Sequence, residues 1–248
     1  MPELVAAVTA GGRVDGAFAA RIGTEVKALA PWRDGTLLDA AIAAARGAGA
    51  TKVAVVGPAA VLERCEGLAD ERIPERATGE ENLRAALESA GGDALLFLTS
   101  DMPFVDAAAA IAFLERARGA DIAMPLAEIP DYEAAFPGSP PHVTTIGSER
   151  VAGGSTFYFG PGVAPQVQQV ATRLFTARKS VWAMARLLGP ALLALFALRR
   201  LRIEDVERRA EHVFGLRARA VRNAPPELCY DVDSLEDYEY ALERAGRG

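Results

Sequence analysis

Apolar positions in the first half of the chain fall into short continuous runs, each followed by a stretch of helical character. Leu4–Thr9, Lys52–Val56 (KVAVV) and Ala94–Thr99 (ALLFLT) have no polar residue at every second place, as expected of strands covered on both faces. Asp121–Pro125 begins a fourth such run. Between them, Leu37–Arg46 (LLDAAIAAAR), Glu80–Ala90 and Ala107–Arg118 space their apolar residues as helices do. Strands alternating with helices, joined by right-handed crossovers, predict an α/β fold. It is a three-layer, doubly wound and mostly parallel sheet with ligands outside the carboxyl ends of its strands.

The pattern changes after Ile129. Pro130, Pro137, Pro140 and Pro141 punctuate a loop, and Val143–Ile146 and Thr156–Phe159 read as short strands around Gly153-Gly154. Helical sequence dominates from Ala164 to His212. Strands are expected again at Arg217–Val221 and Leu228–Val232, and a last helix at Leu235–Ala245. A return to strands predicts one domain, 1–248, with a helical insertion. Residues 1–127 would form one half and 128–223 the other, and 224–248 would supply a returning strand and the closing helix.

Charge narrows the choice of partner. The 248 residues carry 27 basic and 33 acidic side chains, a net charge of −6, so a basic surface that grips nucleic acid is excluded as the general mode. An anionic small ligand is not excluded, because one pocket can be positive on an acidic protein. Two distant cysteines, Cys65 and Cys229, form no paired motif and point to a reduced, cytoplasmic protein. The N-terminus carries Glu3 where a secretory segment would be basic. The run from Val181 to Leu198 is apolar but holds Arg186 and a Gly189-Pro190 break, and Arg199, Arg200 and Arg202 follow it. A packing helix fits this better than a spanning one, which needs about 20 nearly uncharged residues. Peripheral contact with an anionic membrane, or an interface between two copies of the chain, are the other uses of such a segment.

Three constellations carry chemistry. The first follows the first strand: Thr9-Ala10-Gly11-Gly12-Arg13, then Arg21-Ile22-Gly23 and Lys27. Small residues there let backbone N–H groups approach a phosphate, while Arg21 and Lys27 supply positive charge. No Gly-Lys-Ser/Thr or G-x-G-x-x-G spacing is present, and an ordinary strand-to-helix turn also fits. The second is Thr99-Ser100-Asp101-Met102-Pro103, where an acid projects just beyond an apolar strand. Asp101 could merely cap a helix, but Asp106 is better placed for that. The third is Asp231-Val232-Asp233-Ser234-Leu235-Glu236-Asp237. Ser234 and Asp237 form a capping box. Asp231 and Asp233, on one face if the segment is a strand, call for a cation, and hard oxygen ligands without histidine suit Mg²⁺ or Mn²⁺.

Together these motifs resemble the GT-A-type nucleotidyltransferases, most closely the MobA-like NTP transferases of the molybdenum cofactor guanylyltransferase kind. Sugar-phosphate and CMP-sugar synthetases are more distant. The likeness covers Leu4–Met124 and Leu228–Glu243. It implies that Ala10, Gly11 and Gly12 wrap the nucleotide phosphates and that Arg21 and Lys27 neutralise them. It also implies that Asp101 and Asp233, with Asp231 beside them, hold the metal. Ser100 would lie with the nucleotide-binding residues, and Gly79 and Asn82 near the base or ribose. The stretch from Gly12 to Arg21 is longer than the compact family loop, which leaves Arg13 as the substitute for Arg21. The implied reaction is Mg²⁺-dependent transfer of a nucleoside monophosphate from an NTP to a small acceptor, with release of pyrophosphate. A GT-A glycosyltransferase using an NDP-sugar, or a nucleotide-binding protein without turnover, are the alternatives. The lone D-x-P at the sheet centre favours nucleotidyl over glycosyl transfer. Gly153-Gly154-Ser155-Thr156 reads either as a hairpin turn or as an acceptor contact, Arg178-Lys179 either as a helix start or as a contact to an acceptor phosphate, and His142 and His212 as incidental.

Overall fold

A computed structural model describes residues 3–140, 142–146, 149–177 and 189–246. In chain order the elements are β1 (Leu4–Thr9), α1 (Gly16–Ile22), β2 (Pro31–Trp32), β3 (Gly35–Thr36), α2 (Leu37–Gly47), β4 (Lys52–Gly57), α3 (Ala59–Arg64) and β5 (Glu71–Pro74). Next come α4 (Gly79–Ser89), β6 (Ala94–Thr99), α5 (Ala107–Ala117), β7 (Ile122–Glu128), α6 (Ile129–Ala135), β8 (Val143–Ile146), β9 (Glu149–Gly153) and β10 (Phe157–Phe159). The described chain closes with α7 (Ala164–Ala177), α8 (Pro190–Ala197), α9 (Ile203–Phe214), β11 (Ala218–Val221) and α10 (Leu235–Ala245).

The central sheet runs β5-β4-β1-β6-β10-β7-β9-β8, with β11 paired to β7. Strands β5, β4, β1 and β6 are parallel, as their continuous apolar runs require, and β10 lies antiparallel between β6 and β7. Val5–Val8 of β1, Val53–Val56 of β4 and Leu95–Leu96 of β6 are all buried. One apolar layer under α2 and α5 and a second under α4 and α7 cover the two faces. The mixed, mostly parallel sheet between helices is the α/β architecture expected from the sequence.

Helix starts are set by short polar side chains. Thr36 with Asp39, Thr78 with Glu81 and Ser234 with Asp237 close capping boxes, and Asp106 accepts from the Ala109 N–H. Thr9 pairs with Val56 on one side and with Thr99 on the other, so β4, β1 and β6 end level. That register brings the loops after β1 and β6 out side by side.

One expectation needs correction. Leu228–Val232 is not a strand: a 3₁₀ turn at Pro226–Leu228 leads into irregular chain. Leu228, Cys229, Tyr230 and Val232 are buried one after another against the core, without period-two exposure. Helices dominate the described part of Ala164 to His212, with the expected break at Gly189-Pro190, where Gly189 takes φ 83° and Pro190 opens a new helix. Of the apolar segment 181–198, residues 181–188 lie outside the described residues, as do Arg178 and Lys179. Its C-terminal part leaves Phe196 and Leu198 exposed. No helix among the described residues is long and apolar enough to cross a membrane.

Candidate active site

Gly11 and Gly12 leave the end of β1 at the level of Asp101. The Ala10 amide is already used, donating to the Val56 carbonyl at 2.8 Å. Among the described residues no acceptor takes the amides of Gly11 and Gly12. The phosphate cradle expected at Ala10, Gly11 and Gly12 therefore has two free donors, at the glycines. A Cβ on Gly12 would lie 3.0 Å from Cε of Lys27, and one on Gly11 2.8 Å from Oε2 of Glu75. A side chain at either position would crowd Glu75 or Lys27 and displace it.

Lys27 is delivered to the same place by its backbone. Its N–H donates to the Gly12 carbonyl at 3.0 Å, and Val14 donates to Glu25, so the chain before and after α1 runs as a short antiparallel pair. The lengthened Gly12–Arg21 loop is thus a folded excursion, with Phe18 and Ile22 of α1 packed into the core. The Lys27 side chain is buried. Its Nζ lies 2.6 Å from Oδ2 of Asp101, 2.8 Å from the Val232 carbonyl and 3.4 Å from Oδ1 of Asp233. Burial pulls the ammonium pKa down, but the charge and hydrogen bond of Asp101, with a smaller part from Asp233, more than reverse this, so the net shift is upward. Lys27 is charged at every pH at which the fold is of interest.

The acids divide into two kinds. Asp233 is 72% exposed at its side chain and turns toward Lys27. Asp231 is mostly buried and accepts a hydrogen bond from Oγ of Ser155 at 2.7 Å. Sharing one strand face, the basis on which they were paired, does not describe them. Oδ1 of Asp101 and Oδ1 of Asp231 are both buried and unpartnered. Among the described residues no three His, Cys, Asp or Glu side chains gather as a ready metal cage. The cation between these carboxylates is the ammonium of Lys27.

Burial, and then the nearby charge of Asp101, push the Asp231 carboxyl up to about 7, against the opposing hydrogen bond from Ser155. The folded chain therefore holds a proton on Asp231 that the unfolded chain releases between about pH 4 and pH 7. Folding stability is lost as pH rises through that window. Asp231→Asn, which cannot ionise, removes this loss. In metal-free buffer the unfolding midpoint of the wild type should fall between pH 5 and pH 8, relative to the variant, by on the order of 5 °C. Parallel curves for the two proteins would show that the carboxyl is ionised throughout.

The remaining candidates are spread around this centre. Arg13 donates to the Gly11 carbonyl at 2.6 Å and pairs with Glu75, so it sits at the glycine loop. Arg21, in the last turn of α1, is paired with Glu239 of α10 at 2.5 Å and is half-exposed. It is not gathered with Lys27. Ser100 is buried, its N–H donating to the Thr9 carbonyl at 3.0 Å. Gly79 opens α4, and Asn82 Oδ1 accepts from the Arg76 N–H at 2.6 Å, bracing the loop beyond β5. A cleft of about 510 Å³, lined by Arg13, Glu25, Asp233 and Ser234, opens beside these groups. Sequence reasoning did not single out Glu75 or the contact made by Ser155. His142 has a structural role, its Nε2 lying 3.2 Å from Oδ1 of Asp237.

The chain matches the model of the MobA-like NTP transferase domain over residues 6–171. It belongs to that family. As a MobA-like NTP transferase it is an enzyme of nucleotidyl transfer. Among solved structures it is similar to a hypothetical transferase from Thermus thermophilus, at 31% identity over 95% of this chain and 99% of that one, with a TM-score of 0.80. A CMP-2-keto-3-deoxy-manno-octonic acid synthetase complexed with CTP shares the fold at 16% identity, over 99% of this chain and 98% of that one, with a TM-score of 0.57. So does a Mycobacterium tuberculosis protein solved as a manganese complex, at 18% identity over 97% and 98%, with a TM-score of 0.54. No curated protein matches the chain. The matched range contains the glycine loop, Lys27 and Asp101, while Asp231 and Asp233 lie beyond it.

Proposed function

We propose that this MobA-like transferase moves a nucleoside monophosphate from an NTP to a small phosphorylated acceptor in a reaction dependent on Mg²⁺ or Mn²⁺. The observation that carries the reading is the Lys27 ammonium bridging Asp101 and Asp233, beside two buried carboxylate oxygens without partners. Such a site is built around positive charge. The residues suit a hard divalent ion: Asp101 and Asp231 offer unpaired buried oxygens, exposed Asp233 stands near them without closing a three-carboxylate cage, and phosphate oxygens of the nucleotide would supply further ligands. The manganese complex of a protein with the same fold supports this assignment. When bound, the ion would supply neutralisation of phosphate charge.

The chain's own residues do the rest. The amides of Gly11 and Gly12 bind phosphate oxygens, and Arg13 adds charge at the loop, a place it fills better than Arg21. Lys27 offsets the negative charge that develops as an acceptor oxygen bonds to the α-phosphorus and the bond to the β-phosphate oxygen breaks. Pyrophosphate leaves with that electron pair. Positioning and charge stabilisation are what such a step needs. The loop beyond β5, with Glu75, Gly79 and Asn82, borders the space for base and ribose, and the acceptor enters from the 128–223 side. The CTP complex of a protein with this fold supports a nucleoside triphosphate as donor. Two free, buried cysteines fit a reducing, cytoplasmic setting.

Thermal unfolding with ATP, GTP, CTP, UTP and dTTP, each with and without Mg²⁺, tests the donor. A ligand at about 100 times its Kd adds roughly 2.7 kcal/mol, enough to raise the midpoint by about 5–10 °C. One nucleotide should do so in the presence of the metal, and phosphorylated acceptors are then screened for pyrophosphate release. Stabilisation by an NDP-sugar alone would favour glycosyl transfer. Nucleotide binding with no pyrophosphate from any acceptor would favour a sensor.

A further inference from the structure

The Gly153-Gly154-Ser155 turn lies 76 residues from Asp231 in sequence and is pressed against it in space. Gly153 ends β9, paired with Leu126, and Phe157 begins β10, so the turn is held at both ends by the sheet. A Cβ on Gly154 would lie 1.8 Å from the Leu228 carbonyl oxygen. Only glycine lets the turn approach the chain that carries Asp231 so closely. Thr156, fully buried, fixes the other side, with Oγ1 3.4 Å from Sδ of Met102, next to Asp101. Between these two anchors the Ser155 hydroxyl donates to Oδ2 of Asp231 at 2.7 Å. With Oδ2 occupied, Oδ1 is left buried and unpartnered, as is Oδ1 of Asp101.

We infer that Ser155 is the positioning residue of the cation site, holding Asp231 in the one orientation that leaves Oδ1 free to share a divalent ion with Asp101. The inference rests on the metal-dependent reading above and adds to it a residue outside the family motifs. A buried carboxylate with both oxygens free can rotate or turn to other donors, and the serine hydroxyl removes that freedom. Hydrogen-bonding partners of metal ligands commonly set affinity by about 10–100-fold when removed.

The test is Mn²⁺ binding to the purified chain, read from the electron paramagnetic resonance signal of free and bound ion, in the wild type, Ser155→Ala, Ser155→Thr and Asp231→Ala. Far-UV circular dichroism confirms that each variant is folded. Ser155→Ala should bind Mn²⁺ about tenfold more weakly, with a broadened bound spectrum. Ser155→Thr, which keeps the hydroxyl, should restore affinity to within about threefold, and Asp231→Ala should lose at least as much as Ser155→Ala. Wild-type affinity in Ser155→Ala, with a loss in Asp231→Ala, overturns the role of Ser155 and leaves the metal reading intact. A threonine variant as weak as alanine also overturns it, since the hydroxyl would then not be the active group. A wild-type chain that takes up no Mn²⁺, with or without nucleotide, overturns the metal reading and this inference together.

Discussion

Asp101→Asn should lower kcat at least about a hundredfold while leaving the unfolding midpoint within a few degrees of wild type. The asparagine keeps an oxygen able to accept from Lys27, so the contact now made at 2.6 Å can persist without its charge. What disappears is the anion between the glycine loop and Asp231. Asp101→Ala should lose the same activity and also stability, because it strips the buried Lys27 ammonium of its nearest carboxylate. Breaking a fully buried pair costs about 3–5 kcal/mol. Partial exposure of both partners (11% and 18%), together with the remaining contacts to Val232 and Asp233, reduces this to roughly 2 kcal/mol. The corresponding fall in midpoint is about 4–8 °C. Steady-state kinetics on both variants, beside thermal unfolding, separates the two roles. Near-normal turnover in the asparagine variant would remove Asp101 from the catalytic machinery. An equal loss of stability in both would mean that charge, not shape, holds Lys27.

The legible parts of this molecule are those in which neighbours in sequence are also neighbours in energy. Strands β1, β4 and β6 announce themselves because burial on both faces demands unbroken apolar runs, α2 and α4 because their apolar residues recur at helical spacing, and α10 because a capping box also marks its start. The two-residue strands β2 and β3, and the short helices α1 and α3, carry too few periodic positions to register. Leu228–Val232 imitates a strand because its apolar residues are each buried separately, Leu228 beside α5, α6 and β7 and Tyr230 among the rings of Phe104, Phe136 and Tyr240. In the site, Lys27 and Asp101 follow from small or strand-ending motifs close to them in the chain. Glu75 and Ser155 do not, because each acquires its meaning from a partner far along the chain, Arg13 and Asp231 respectively. Arg21 is the converse case. Its spacing from Lys27 suggested a shared role, yet α1 turns it outward to Glu239.

Lys27→Met should be the variant with the largest combined effect, losing about a hundred- to a thousandfold in turnover. Methionine keeps the stem that packs against Gly12 and removes the only positive charge that contacts both Asp101 and Asp233 among the described residues. In the metal-free variant these acids and Asp231 face one another without compensation, and the midpoint should fall by several degrees. Added Mn²⁺ then separates two accounts of the lysine. If the ammonium occupies the place of a divalent ion, Mn²⁺ must compete with it in the wild type and meets no competitor in the variant. The metal should then raise the midpoint of Lys27→Met by more than that of the wild type, recovering most of the lost stability while turnover stays low. Stability returns because charge is balanced again; turnover does not, because the charge that meets the leaving pyrophosphate is still missing. An equal response to Mn²⁺ in both proteins would mean that lysine and metal occupy different places, and the site would have to hold both cations side by side.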